Sequence, residues 1–311
     1  MSVLLDPPVA LSRPGAAAAP AGLHDEPELR VTVARLADRT LVVRQSLLPP
    51  PSDLLPAALV PIFRGQLEAH QHRIRGGTLF DGQVVLLRQV ATQRLTVTLD
   101  VQAGSYIAQS ALKGTYQEAA SQGLLDSDDF IRLHPAFGVS TGAWVVVITS
   151  DSRILVTKRS ARASVDPGCY SLALGEHMEP GDIPGDAGAL PSRIAARALH
   201  EELGVSLTLG EQRQFIHPTL MLARTSSPEW LFLLVADFRR AGRRFCADAI
   251  ESQLAFAKDA WESQTMTFVP FDHEALRDFL RGHRQALAAG THDLVNLVMA
   301  QSWCQRAQLW Q

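Results

Sequence analysis

The clearest hydrophobic pattern in the chain is the alternation in Arg94–Asp100 (RLTVTLD), where Leu95, Val97 and Leu99 are separated by polar residues. A period of two sends one set of side chains to a core and the other to solvent, so the segment predicts a strand. Val84–Arg88 predicts another. From Val139 to Thr149 the apolar run is nearly unbroken (VSTGAWVVVIT), the signature of a strand buried on both faces. Ser150-Asp-Ser-Arg supplies a turn, and Ile154–Arg159 completes a strand–turn–strand unit. Short strands follow at Tyr170–Leu174, 214–224, Trp230–Ala236 and Thr265–Val269. Helical spacing predicts helices at 57–73, 105–122, 190–203, near 247–260, near 272–283 and near 292–307. Pro191 sits near the start of the 190–203 helix and Gly204 stops it. This mixture of strands and helices defines the class as α/β (α+β).

The texture along the chain suggests three parts. Residues 1–28, rich in Ala, Pro and Gly, bury little and are expected to form a disordered leader. Residues 29–130 are expected to form a small α+β domain. Within it Val31–Leu36 and Thr40–Arg44 read as a hairpin, followed by the proline-rich connection LPPPSDLLP at 48–56. Residues 131–311 form the second domain, and Phe137 marks the change of texture.

Composition narrows the function classes. A hydrophobic content of 46% with 20% charged residues is that of an ordinary globular protein. A net charge of -3 gives no footing for nucleic acid or an anionic membrane. Cys169, Cys246 and Cys304 are far apart and lack metal spacing, which points to a reducing compartment. No apolar run reaches the roughly 18 residues needed to span a bilayer, and no basic region precedes an apolar segment at the N-terminus. A cytoplasmic location is the expectation, and homodimer formation stays open.

The candidate chemistry lies in Gly175–Val205. A turn-forming run carries Glu176, Glu179 and Asp182, and the helix after it carries Arg197, Glu201 and Glu202 before Gly204. Arg197 and Glu201 are four apart and share a helical face. Two adjacent glutamates on a helix whose other side is apolar call for a partner, and a Mg²⁺ or Mn²⁺ ion held against a phosphate would supply one. Two water-facing glutamates are the plainer alternative.

In its helical half, Arg197, Leu199, Glu201, Glu202, Gly204 and Val205, this stretch resembles the Nudix box, and the preceding strand–turn–strand ending at Lys158-Arg159 looks like the entry to a Nudix fold. In that family Gly and five residues precede a Glu, and seven more lead to Arg-Glu, an aliphatic, any residue, Glu-Glu, any residue, Gly and an aliphatic. The resemblance implies an α/β/α sandwich with a mixed sheet. It also implies a metal-dependent pyrophosphate hydrolase acting on a small nucleoside-diphosphate molecule, with metal ions bridging Glu201, Glu202 and Asp182 to the diphosphate. Arg197 would orient Glu201, Glu262 would complete the catalytic set from a later loop, and Lys158, Arg159 and Glu179 would meet substrate. Glu229 and Asp259 are alternatives to Glu262.

Three positions depart from the pattern. Glu176 stands where the second Gly belongs. Asp182 stands for the loop Glu and is followed by fourteen residues before Arg197, an insertion of seven. Ala198 stands where the glutamate after the Arg belongs, which removes one carboxylate from the metal cluster. The layout, about 130 residues before the box and a lengthened box loop, is similar to the UDP-sugar hydrolases, which cut UDP-glucose or UDP-galactose to UMP and a sugar 1-phosphate. A Nudix-fold module that binds a nucleotide or a partner without catalysis is the alternative, and Ala198 favours it.

Overall fold

A computed structural model describes residues 29–33, 36–76, 81–125, 138–161, 163, 166–183, 185–224, 228–259 and 263–308. The 1–28 leader, Phe137 and Glu262 lie outside the described residues.

In chain order the elements begin with β1 (Leu29–Val33) and β2 (Thr40–Gln45), then α1 (Pro51–Leu54) and α2 (Val60–Arg75). β3 (Gln83–Gln93), β4 (Thr96–Ser105) and α3 (Tyr106–Ser121) follow. Next come β5 (Val139–Ile148), β6 (Arg153–Arg159), β7 (Tyr170–Ser171) and β8 (Leu174–His177). The box helix is α4 (Leu190–Leu203), followed by α5 (Leu209–Phe215), β9 (Ile216–Arg224) and β10 (Glu229–Asp237). The chain continues through α6 (Ala247–Gln253), β11 (Ser263–Pro270), α7 (His273–Gly282) and α8 (Thr291–Gln308).

Among the described residues one mixed sheet of eleven strands is the frame, with the main order β1-β9-β10-β5-β3-β4-β2. β5 lies at its centre, parallel to β10 and antiparallel to β3 and β8. Its alternate residues enter two cores. Ala143, Val145 and Val147 pack with Leu190, Ile194, Ala198 and Leu199 of α4. Val146 and Ile148 pack with Leu276 of α7 and Leu294, Val295 and Val298 of α8. Burial on both faces explains the unbroken apolar run, and helices on both faces make the α/β/α sandwich that the sequence suggested. Strands of the N-terminal and C-terminal parts share this sheet through Leu86↔Ser140 and through β1 with β9.

One local expectation is corrected. β1 and β2 do not form a hairpin: β1 runs antiparallel to β9, and β2 runs parallel to β4. Both are short, and each adds to the edge of a longer strand pair, which buries Val33 and Leu41. The strand–turn–strand unit at 139–159 is present, with β5 and β6 antiparallel and paired at Ile148↔Ile154 next to the turn, and β6 also pairs along its length with β11.

Two glycines are required by close approach. Gly204 caps α4 in the left-handed region, φ 70°, and a Cβ there would stand 2.3 Å from the carbonyl O of Gln253. At Gly142 a Cβ would stand 2.1 Å from the carbonyl O of Glu176, so β8 can lie against β5 only because position 142 has no side chain.

Candidate active site at the loop before α4

The loop before α4 is built by reciprocal capping. Glu179 precedes a single turn at Pro180–Asp182, its backbone N–H donating to Asp182 Oδ2 at 2.8 Å. Arg193 of α4 donates from Nε and Nη2 to the Asp182 carbonyl at 2.9 and 2.7 Å. It also reaches the Asp186 carbonyl at 2.9 Å, so the insertion is tied to the helix.

Arg197 lies at the centre of the acidic groups. Its Nη1 is 2.9 Å from Glu176 Oε1, and 3.5 Å from both Glu179 Oε1 and Glu201 Oε2. Its Nη2 is 2.9 Å from Asp182 Oδ2 and also donates to the His177 carbonyl. Burial works against the guanidinium charge, but Asp182, Glu176 and Glu179 more than offset it and push its pKa up. The expected pairing of Arg197 with Glu201 is thus present, within a wider cluster. Glu201 Oε1 also takes Lys258 Nζ at 3.1 Å.

The inward stripe of α4 continues from Ala195 and Ala198, both 0% exposed, to Glu202, which is 7% exposed. Glu202 is one turn beyond Ala198 on that stripe, so the missing carboxylate is a core alanine and the buried one closes the row. Asp182 is turned to Arg197 and to its own turn. Among the described residues no group of three or more His, Cys, Asp or Glu side chains gathers as a metal cage. Mg²⁺, however, commonly takes one or two carboxylates and fills its other positions with waters and substrate phosphates. Glu201 and Glu202, successive on the helix, point in different directions, Glu201 to Arg197 and Lys258 and Glu202 into the buried row.

A cleft adjoins this cluster through Glu176. Its walls include Trp144, Arg159, Asp166, Glu176, His177 and Arg224. The Arg224 guanidinium lies 5.5 Å from the centre of the Trp144 ring. Arg224 Nη2 is 2.8 Å from Asp166 Oδ2, and its Nη1 is 3.8 Å from Glu229 Oε2. Glu229 Oε1 in turn takes Lys113 Nζ of α3 at 2.5 Å. Burial alone would raise the Glu229 pKa, but Lys113, then Arg224 and His177, hold it below the usual carboxylate range. Burial pulls the His177 imidazole below its usual range; Glu229 opposes this, while Lys113 and Arg197 add to it.

Of the residues singled out in the sequence, the structure gathers Glu176, Glu179, Asp182, Arg197 and Glu201 in one cluster and places Arg159 and Glu229 in the adjoining cleft, beside Trp144 and His177. Lys158 is directed over the Tyr170 ring, 5.6 Å from its centre. His200 faces outward and pairs with Ser206 Oγ at 3.1 Å. Sequence reasoning missed Lys113, Asp166 and Arg224. Arg224 and Glu229 did leave a signal, opposite charges ending two apolar runs that pair as β9 and β10. Lys113 left none, since its partner is 116 positions away.

The fold and this site define an α/β/α sandwich with a loop–helix carboxylate cluster beside a charged cleft. No family model matches the chain, and no curated protein matches it. Among solved structures, it is similar to a bifunctional NMN adenylyltransferase/ADP ribose pyrophosphatase from Francisella tularensis, seen with AMP and a Mn ion. The identity is 11%, over 60% of this chain and 49% of the other, with a TM-score of 0.34. A MutT/nudix family protein from Enterococcus faecalis matches at 9% identity over 50% of this chain and 54% of its own, TM-score 0.28. A Deinococcus radiodurans protein matches at 16% identity over 52% and 80%, TM-score 0.29. The chain therefore spans about half the length of the Francisella protein. Likeness at these identities and scores does not define a family for the chain.

Proposed function

We propose that the chain is a Nudix-type hydrolase that cleaves the pyrophosphate of a nucleoside diphosphate linked to a second moiety. UDP-glucose and UDP-galactose come first among substrates, giving UMP and a sugar 1-phosphate. The observation that carries this reading is the Arg197 cluster opening through Glu176 onto the cleft. A carboxylate-rich turn and helix stand at one end of the cleft, with an indole and guanidinium groups along it. Trp144 offers a face for a base, and Arg159 offers charge to a diphosphate. Arg197 holds Glu201, Glu176 and Asp182 in a fixed arrangement, and Glu202 is the buried acid closest to the α4 terminus. Mg²⁺ held by Glu201 or Glu202 together with the substrate would neutralise phosphate charge and acidify a bound water.

A second reading, a nucleotide-binding module without catalysis, is favoured by Ala198, which contributes a methyl group to the core in place of a carboxylate. One experiment separates the two. Purified protein with Mg²⁺ and a panel of nucleoside-diphosphate compounds should release nucleoside monophosphate from at least one. Tight binding of a panel member with no turnover, with or without Mg²⁺, would establish the binding module instead.

A further inference from the structure

Lys113, Glu229, Arg224 and Asp166 form a row of alternating charge, of which the last three line the cleft and Lys113 pairs with Glu229. The first comes from α3 in the N-terminal part and the others from the C-terminal part. Glu229 is buried at 7% exposure and the Arg224 side chain at 5%. The row of four is neutral, loss of Lys113 leaves it one negative charge in excess, and a buried charge deprived of its partner is strongly destabilising. Arg224, which lies over Trp144, is the other cation of the row. If Lys113 is removed, Glu229 and Asp166 share one guanidinium, and an uncompensated negative charge sits in the cleft wall near Glu176.

We infer that Lys113 is a positioning residue for anion binding in the cleft, so that the N-terminal part completes the site by neutralising Glu229. The inference rests on the reading of the cleft as a nucleoside-diphosphate site. The groups facing Glu229 are Lys113 from α3, Arg224 from β9 and His177 from β8. Of these Lys113 is the closest charge, and its removal leaves the more distant Arg224 as the main opposition to burial, so the Glu229 pKa rises.

The test measures UDP and UDP-glucose affinity by calorimetry, and the melting temperature without ligand, for wild type, Lys113→Met, Lys113→Arg and Lys113→Met/Glu229→Gln. Lys113→Met is expected to weaken UDP binding by roughly tenfold or more. Its affinity should recover as the pH is lowered, because protonation of Glu229 restores neutrality. Lys113→Arg and the double variant should bind within about threefold of wild type. Without ligand, the melting temperature of Lys113→Met should fall as the pH rises from about 5.5 to 8.5, and the double variant should lack that slope. A merely structural lysine would lower the melting temperature without giving affinity a pH slope. Equal affinity and equal pH profile in wild type and Lys113→Met would overturn the inference while leaving the functional reading intact. Wild type that binds neither UDP nor UDP-glucose overturns both the UDP-sugar reading and the positioning role, and the ligand-free slope then reports on the charge row alone.

Discussion

Ala198 and Arg197 are neighbours in sequence with opposite surroundings. Ala198 is sealed in the core, whereas Arg197 meets four carboxylates. Arg197→Met should leave those acids facing one another and destabilise the fold by about 2–3 kcal/mol, measurable by denaturant unfolding. Ala198→Glu places a carboxylate in an apolar row. Its melting temperature should fall in EDTA, by the equivalent of about 2–4 kcal/mol, and recover in part with Mg²⁺, read by calorimetry. A loss that Mg²⁺ leaves untouched would show that the 198–202 face takes no cation. His177 gives a pH dependence. Its imidazole is held neutral in the fold, so its contribution is complete above the ordinary histidine value of 6.5 and is lost as the pH falls below it. Glu229, held ionised, adds a further loss below the ordinary glutamate value of 4.5. The melting temperature should therefore decline from about pH 6.5 downward. His177→Gln should flatten the upper part of that decline, leaving the share due to His217, which burial also shifts down.

Elements whose burial follows their own period were legible in the sequence. α4 matches the predicted 190–203, with Pro191 and Gly204 at the expected ends. α3 begins after Ser105, whose side chain accepts from the Ala108 N–H at 3.2 Å. Partners of strands were not legible, because pairing is decided by edges distant in the chain. β1 and β2 were read as a hairpin for lack of any local sign of β9 or β4. The carboxylate cluster was readable, since its members lie within one stretch ending at Glu202. The cleft was only partly readable, since Lys113, Asp166 and Arg224 come from three separate segments. Gly142 illustrates the dependence of the site on strand packing. Gly142→Ala should push β8 from β5 and displace Glu176, lowering both stability and any activity, the first by about 2 kcal/mol or more in chemical denaturation.

For the molecule as a whole, both parts of the chain share one sheet and one apolar core, and no described helix is long and apolar enough to cross a membrane. Residues 138–311 alone would expose the β5 edge and the β9 edge that β3 and β1 cover. That fragment should bind the hydrophobic dye ANS and lack a cooperative melt, whereas the full chain should unfold in one transition. The same sharing gives the functional reading its form, with the Arg197 cluster and the cleft held on the C-terminal part and Lys113 supplied by the N-terminal one. The most direct test of the central claim is kcat/KM for UDP-glucose with saturating Mg²⁺ in wild type and Glu202→Gln, following UMP release. The account predicts measurable turnover in wild type and a fall of about two orders of magnitude or more in the variant. Turnover undiminished by Glu202→Gln, or none from any nucleoside-diphosphate compound, would contradict it.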